Sequence, residues 1–256
     1  MQDSGIKEVL NKLTKLKEKL SIERPLPSEL VKGLRNDYLV KNTYHSNAIE
    51  GNTLTIYETK AIIEDGITIA GKSMREHLEA INHKQAIILT EEIVKNKEAI
   101  SERIMKELHA IILHGIDPLN AGVYRNQDVI ISGANHTPPR YTVVPQLMTD
   151  LKEWYDENND LHPVEKAAIF SSKFVNIHPF VDGNGRTSRL LMNLELIKAG
   201  YLPIIIEKEQ RFKYYEVLDI AAVEGNYIPL IQFVADYEQH ELQRYLELIR
   251  THYDKE

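Results

Sequence analysis

The sequence contains no cysteine and no long apolar run. Without cysteine the chain can form neither a disulfide bond nor a thiolate metal site, which agrees with a reducing compartment. No stretch of about 18 apolar residues predicts a transmembrane helix, and the polar first residues do not resemble a signal peptide. We therefore expect a cytoplasmic protein that does not associate with a membrane.

Basic residues are fewer than acidic residues. The 256 residues carry 31 lysines and arginines against 38 aspartates and glutamates, which gives a formal net charge of −7. This balance argues against nucleic acid as a partner. With 43% hydrophobic residues, a chain of this length can bury one substantial core or two small ones.

Apolar residues recur at helical spacing along most of the chain, and local start signals separate the segments. Ser28 is a predicted N-cap. Thr55 with Glu58, and Ser73 with Glu76, match the capping box, in which two side chains satisfy each other's backbone N–H groups. These signals predict a mainly α-helical protein.

A β pattern occurs in one place only. Residues 129–132 and 141–144 are rich in β-branched side chains and are joined by a turn through Gly133. Prolines near the second run would keep such a pair at an edge. We interpret the two runs as a small β-hairpin.

The densest cluster of functional groups spans residues 178–189 and reads His-Pro-Phe-Val-Asp-Gly-Asn-Gly-Arg-Thr-Ser-Arg. Pro179 cannot continue the preceding helical pattern, so His178 lies at a helix exit. A new apolar face begins at Leu190, which places Gly183-Asn184-Gly185 in the turn that opens the next helix. Free backbone N–H groups and the positive end of the helix dipole favour an anion there.

The side chains around this turn suit a polyphosphate. Arg186 and Arg189 are three residues apart, so both can face the same anion, and guanidinium groups bind phosphate bidentately. Asp182 offers the hard oxygen ligands that Mg²⁺ prefers. His178, with an ordinary pKa of about 6.5, is suited to accept a proton from an incoming hydroxyl group.

These twelve residues resemble the signature of Fic-domain proteins, His-Pro-Phe-x-Asp/Glu-Gly-Asn-Gly-Arg-x-x-Arg, at every fixed position. The resemblance implies a helical bundle of the Fic fold that transfers AMP from ATP to a Ser, Thr or Tyr hydroxyl of a target protein. It implies His178 as the catalytic base and Asp182 as the Mg²⁺ ligand. The residues that it implies for nucleotide binding are Asp182, Gly183, Asn184, Gly185, Arg186, Thr187, Ser188, Arg189, Tyr214 and Tyr215. Many relatives have asparagine where Ala222 stands, which leaves the range of nucleotides open.

A second motif lies upstream, at Ser46-Asn-Ala-Ile-Glu50-Gly51. Ser46 and Glu50 are four residues apart and share a helix face, which Gly51 ends. An acid in the last turn meets the negative end of the helix dipole and needs a compensating cation. The motif resembles the inhibitory motif of Fic proteins, which implies that Glu50 pairs with Arg189 and keeps ATP from docking productively. The alternative is that Glu50 is an ordinary surface acid.

The same resemblance assigns a role to the predicted hairpin. It implies a flap that aligns the target protein beside His178, with Ile131, Ser132 and Gly133 as its contact residues. From the residues alone, an ordinary surface hairpin is the alternative.

The resemblance also divides the chain. Residues 1–100 would form an N-terminal helical region, including an inhibitory helix at about 28–51, and residues 101–256 would form the catalytic core. It leaves open whether the same site also removes AMP, and whether the chain forms a homodimer.

Two other functions are compatible with parts of the sequence. Residues 66–73 match the P-loop pattern Gly-x-x-x-x-Gly-Lys-Ser of NTPases, but a helical segment precedes them and no strand-helix alternation surrounds them. We interpret Gly66 as a helix C-cap and Ser73 as an N-cap instead. A non-catalytic module that senses nucleotides is the other alternative. His178 argues against it, since binding alone does not need a base.

Overall fold

The computed structural model describes residues 2–131 and 133–253. The described residues form ten α-helices and no β-strand, and none of these helices combines the length and apolarity needed to cross a membrane. The prediction of a mainly α-helical protein is confirmed. The helices are α1 (Gln2–Ile22), α2 (Ser28–Ile49), α3 (Ile56–Asp65), α4 (Met74–Lys95), α5 (Glu102–Ile112), α6 (Val144–Glu157), α7 (Pro163–Ile177), α8 (Asn184–Lys198), α9 (Arg211–Glu224) and α10 (Ile228–Tyr253).

Capping boxes begin α3 and α4, as the sequence predicts. Before α3, the Thr55 hydroxyl accepts a hydrogen bond from the Glu58 N–H, and the Glu58 carboxylate accepts one from the Thr55 N–H. Ser73 and Glu76 form the same pair before α4. Gly66, with φ of 68°, ends α3 in the left-handed conformation. The P-loop pattern therefore lies between two helices and lacks the strand that a P-loop follows.

The start of α2 differs from the prediction by one residue. Pro27, rather than Ser28, is the N-cap, and no side chain caps this end of the helix. The carbonyl oxygen of Pro27 already accepts the first helical hydrogen bond, from the Val31 N–H at 3.0 Å. Ser28 is thus inside the first turn.

Helices α7 and α8 pack against each other at the centre of the molecule. One hydrophobic cluster joins α1, α9 and α10 to α7, and a second joins α4, α5 and α6 to α7 and α8. As a result, α8 is buried at Asn184 and at every residue from Arg186 to Leu196. The polar residues of its first turns lie inside the protein, where they need internal partners or a ligand.

The predicted β-hairpin is wrong. No strand forms over the described residues 129–131, and Tyr141–Val143 make a 3-10 turn that leads into α6. Ser132, a predicted contact residue of the hairpin, lies outside the described residues. We call residues 127–140 the flap.

Side chains take the place of a facing strand in the flap. Asp219, on α9, accepts hydrogen bonds from the backbone N–H groups of Asn135 and His136 at 3.1 and 3.0 Å. Arg125 donates to a backbone carbonyl near each end of the flap. Residues 138 and 139 are both proline and have no N–H to donate. These contacts hold the segment between the two predicted strands. In the second predicted strand, the Tyr141 N–H donates to Oδ1 of Asp128 at 2.8 Å and Tyr141–Val143 adopt the 3-10 conformation, so this run does not pair as a strand.

Candidate active site

His178 lies at the exit of α7, as predicted, and its backbone is left-handed with φ of 52°. Its Nδ1 is 3.2 Å from the carbonyl oxygen of Val175. A carbonyl can only accept, so Nδ1 carries the proton and Nε2 keeps the lone pair of the neutral ring. Burial lowers the pKa of His178, and the Arg125 guanidinium contributes in the same direction. The ring is therefore neutral near pH 7 and can accept a proton at Nε2.

The turn before α8 is held by its own residues. Gly183 is the N-cap with φ of 78°, and a Cβ atom there would lie 3.2 Å from the ring of His109. The side-chain amide of Asn184 accepts from the N–H and donates to the carbonyl oxygen of Phe180, both at 2.9 Å. This amide is thus used inside the turn, and the group that Asn184 can offer an anion is its backbone N–H.

Two predicted nucleotide-binding side chains are already bonded to backbone carbonyl groups. The Thr187 hydroxyl donates to the carbonyl oxygen of Gly183 at 2.9 Å, and the Ser188 hydroxyl donates to that of Ser171 at 3.0 Å. Both residues are fully buried. The structure does not bring these hydroxyl groups to the site.

Arg186 and Arg189 both extend from α8 into the protein and are almost completely buried. Nη2 of Arg186 lies 3.3 Å from Oδ1 of Asp182, and Nη1 lies 3.4 Å from Oε1 of Glu79. Nε and Nη1 of Arg186 have no hydrogen-bond partner among the described residues. Buried guanidinium donors without partners are costly, so they favour a ligand at this position.

Asp182 is charged although it is partly buried. Burial alone would raise the pKa of Asp182, but Arg186, the Gly183 N–H and Arg75 outweigh burial and hold the pKa below its ordinary value. Its Oδ1 accepts from the Gly183 N–H at 2.6 Å, and its Oδ2 accepts from Nη2 of Arg75 at 2.6 Å. A carboxylate is thus present at the mouth of α8.

Glu50 lies over the start of α8. Its Oε1 accepts from Nη2 of Arg189 at 2.8 Å, and the hydroxyl and carbonyl oxygens of Ser46 also accept from Arg189, at 3.0 and 2.9 Å. A Cβ atom at Gly185 would lie 2.3 Å from Oε1 of Glu50, so the carboxylate rests against backbone that only glycine leaves open. Gly51 follows with φ of 98° and ends the turn. These predicted residues are brought together, and Glu50 occupies the place that the helix start offers to an anion.

Tyr214 and Tyr215 have different surroundings. Tyr214 is buried, with 2% of its surface exposed, whereas Tyr215 is 38% exposed. The Tyr215 hydroxyl donates a long hydrogen bond of 3.5 Å to the carbonyl oxygen of Ile49, at the end of α2. Only the Tyr215 ring can therefore present a face to a base beside the inhibitory motif.

Two arginines near the site could not be identified from local sequence patterns. Nε of Arg125, which is buried, donates to the carbonyl oxygen of His178 at 2.8 Å, and Arg75 contacts Asp182. The partners are 53 and 107 positions away along the chain, so no local spacing relates them.

Fold and site together define a helical protein in which the carboxylate of Glu50 covers an anion-binding helix start, in the same site as a histidine that can act as a base. A family model described as the Fic/DOC family matches residues 99–196. Over 97% of this chain, the structure superposes on Fic-1 from C. elegans with a TM-score of 0.86, at 33% sequence identity and covering 74% of that chain. The chain belongs to the Fic/DOC family.

Other relatives extend the match over most of the chain. A protein adenylyltransferase Fic from Drosophila mojavensis is 38% identical over 239 residues, which are 93% of this chain and 47% of the relative. One of the same name from Drosophila willistoni is 41% identical over 208 residues, 80% of this chain and 41% of the relative. A Fic domain containing signaling protein from Bacteroides thetaiotaomicron superposes with a TM-score of 0.85 at 26% identity, covering 95% of this chain and 97% of that one. The chain thus spans less than half the length of these fly relatives.

Proposed function

We propose that this chain is a protein adenylyltransferase, which transfers AMP from ATP to a hydroxyl group of a target protein. One observation carries the proposal. The unprotonated Nε2 of His178 belongs to the same site as a helix start with two buried arginines. At that helix start, the carboxylate of Glu50 takes the place of an anion. The names of the fly relatives support this activity.

In the proposed reaction, the target hydroxyl donates its proton to Nε2 of His178 while its oxygen attacks the α-phosphorus of ATP. The bond between the α-phosphorus and the oxygen that bridges to the β-phosphorus breaks, and pyrophosphate leaves. The first N–H groups of α8 and the unpartnered donors of Arg186 stabilise the negative charge. Most of the catalysis is positioning of the two reactants.

The residues around Asp182 fit a Mg²⁺ ion that arrives with ATP. Among the residues that the structure describes, no group of three or more carboxylate or imidazole side chains could hold a metal ion. Mg²⁺ commonly binds through one or two carboxylates, water and substrate phosphates, so one aspartate at the mouth of α8 is a sufficient protein contribution. When bound, the ion would neutralise phosphate charge, and Asp182 would orient it.

We infer that Glu50 inhibits the reaction. Its carboxylate pairs with Arg189 and rests on the backbone at Gly185, so the γ-phosphate of ATP and Glu50 compete for the same groups. We assign inhibition to residues 1–100, which include α2, and catalysis to residues 101–256. Arg189 would bind the γ-phosphate once Glu50 has moved.

We also propose that the flap aligns the target protein. Gly133 is exposed and Ile131 is half-buried, in a segment that Arg125 connects to the carbonyl oxygen of His178. A target segment lying on the flap would therefore be held at a fixed distance from the base. This alignment needs an anchored segment but does not need a regular strand.

The test is labelling of proteins in a lysate with α-labelled ATP, using the Glu50→Gly variant as the active parent. In that background, His178→Ala should reduce labelling by about 10²- to 10⁴-fold, the usual contribution of a general base. His240→Ala is the matched control, because it removes an exposed histidine on α10. Labelling by His178→Ala at the rate of the control would refute the proposal.

The P-loop alternative has its own variant. Nζ of Lys72 donates to the carbonyl and hydroxyl oxygens of Thr53, at 2.7 and 3.0 Å, and is directed at the loop that follows α2. In the Glu50→Gly background we expect Lys72→Ala to retain nucleotide binding. Loss of binding in this variant, with a preserved melting temperature, would favour the P-loop instead.

A further inference from the structure

The two carboxylate oxygens of Asp182 have different partners. Oδ1 is turned towards the turn itself, where the Gly183 N–H donates at 2.6 Å and Nη2 of Arg186 lies at 3.3 Å. Oδ2 is bound by Nη2 of Arg75 at 2.6 Å. Arg75 is the second residue of α4 and belongs neither to the turn nor to α8.

Arg75 is also connected to the inhibitory motif. Its Nε donates to Oε1 of Glu79 at 3.1 Å, one turn later on α4. Oε2 of Glu79 accepts from the side-chain amide of Asn52 at 2.9 Å, and Asn52 is two residues after Glu50. A continuous chain of hydrogen bonds therefore runs from Asn52, the residue directly after the inhibitory motif, through Glu79 and Arg75 to Asp182.

In this arrangement, side chains of the protein itself occupy both the anion position and the cation position of the proposed nucleotide site. Glu50 fills the anion position at the start of α8, and the Arg75 guanidinium is a cation on Oδ2 of Asp182. A divalent cation that uses Oδ2 has to displace the guanidinium, because two cations cannot share one oxygen at contact distance without strong repulsion.

We propose that Arg75 competes with the divalent cation at Asp182 and thereby sets the cation concentration that nucleotide binding requires. This inference rests on the proposed function, since it concerns the same site. It assigns to Arg75 a role in metal dependence, separate from the role of Glu50 at the phosphates.

The solvent exposure of Arg75 and Asp182 determines how much Arg75 changes the Mg²⁺ requirement. The side chains of Arg75 and Asp182 are 57% and 45% exposed, so the contact is a surface ion pair rather than a buried one. Such pairs are weak and are screened by salt. We expect removal of Arg75 to change the cation requirement by about two- to five-fold, and less at high ionic strength.

The experiment measures binding and not turnover. In the Glu50→Gly background, the affinity for α,β-methylene-ATP, which cannot be cleaved at the α-phosphorus, is measured by isothermal titration calorimetry over a series of Mg²⁺ concentrations. The variants are Arg75→Ala and Arg75→Lys. The control is Arg103→Ala, which removes the same charge from an exposed arginine that pairs with Glu98 and Glu107.

We expect Arg75→Ala to reach half-maximal affinity at a two- to five-fold lower Mg²⁺ concentration, with Arg75→Lys in between and Arg103→Ala unchanged. An unchanged or higher Mg²⁺ requirement in Arg75→Ala would overturn the inference. Weaker binding of Arg75→Ala at saturating Mg²⁺ would also overturn it, because Arg75 would then be a phosphate ligand. Absence of binding in the Glu50→Gly parent at every Mg²⁺ concentration would instead refute the proposed function, and the inference with it.

Discussion

Replacement of Glu50 tests how strongly this residue reduces the affinity of the site for ATP. In the structure, Oε1 of Glu50 makes one charge-assisted hydrogen bond of 2.8 Å to Arg189, which is almost completely buried. A hydrogen bond to a charged group contributes about 1.5–3 kcal/mol. ATP must displace this contact before its γ-phosphate reaches Arg189, so its affinity is reduced by the same amount. We therefore expect Glu50→Gly to bind α,β-methylene-ATP about 10- to 150-fold more tightly than the parent chain.

The isosteric Glu50→Gln variant separates the effect of the negative charge of Glu50 from the effect of its side chain filling the space above Gly185. A glutamine amide still fills the space above Gly185 but lacks the negative charge that pairs with Arg189. Its affinity for the analogue should lie between those of the parent and Glu50→Gly. The melting temperature is a second measurement: without nucleotide, Glu50→Gly should melt at a lower temperature because a buried guanidinium has lost its counter-charge, and the analogue should restore it.

Equal affinities in the parent, Glu50→Gln and Glu50→Gly would refute this reasoning. Equal rates of protein labelling with α-labelled ATP in these three proteins would refute it as well. Either result would mean that the Arg189 contact does not obstruct the nucleotide, and Glu50 would then be an ordinary acid at the end of a helix.

Two further predictions concern the scaffold. Burial raises the pKa of Glu238 to about 8, so the folded state holds a proton that the unfolded state releases above pH 4.5, and the free energy of unfolding falls as pH rises towards 8. Between pH 6.5 and 8, chemical denaturation should show that the free energy of unfolding declines by up to about 1.4 kcal/mol per pH unit. Glu238→Gln should reduce this slope, and an identical slope in the variant would contradict the prediction. Gly183→Ala should destabilise the fold by about 1–2 kcal/mol, because φ is 78° and the added methyl group would meet His109; an unchanged denaturation midpoint would contradict this.

Local chemistry explains which features could be predicted. The capping boxes before α3 and α4 depend on residues three positions apart, and the turn at the start of α8 depends on two glycines separated by one residue, so the sequence contains the information directly. Ser46 and Glu50 could be placed on one helix face for the same reason. Their pairing with Arg189, 139 positions away from Glu50, was available only through resemblance to a family.

The flap was predicted incorrectly because its partners are distant. A run of β-branched residues favours a strand only where a neighbouring strand accepts its N–H groups. Here Asp219, 84 and 83 positions away, accepts the N–H groups of Asn135 and His136 and thereby holds the segment between the two runs. No periodicity in residues 129–144 reveals that acceptor. Arg75 also carries no local sequence signal, since its contact with Asp182 spans 107 positions.

The burial of α8 determines which part of the site can move when nucleotide binding is regulated. A helix packed on nearly every side cannot tilt or slide without disrupting the core, so Arg186 and Arg189 are fixed points. Helix α2 has 22 residues and is about 33 Å long, and Glu50 is its C-cap residue. If Glu50 inhibits as proposed, a partner or ligand that displaced α2 at any point along its length would also move Glu50 away from Arg189, and an activating signal would not have to enter the nucleotide site.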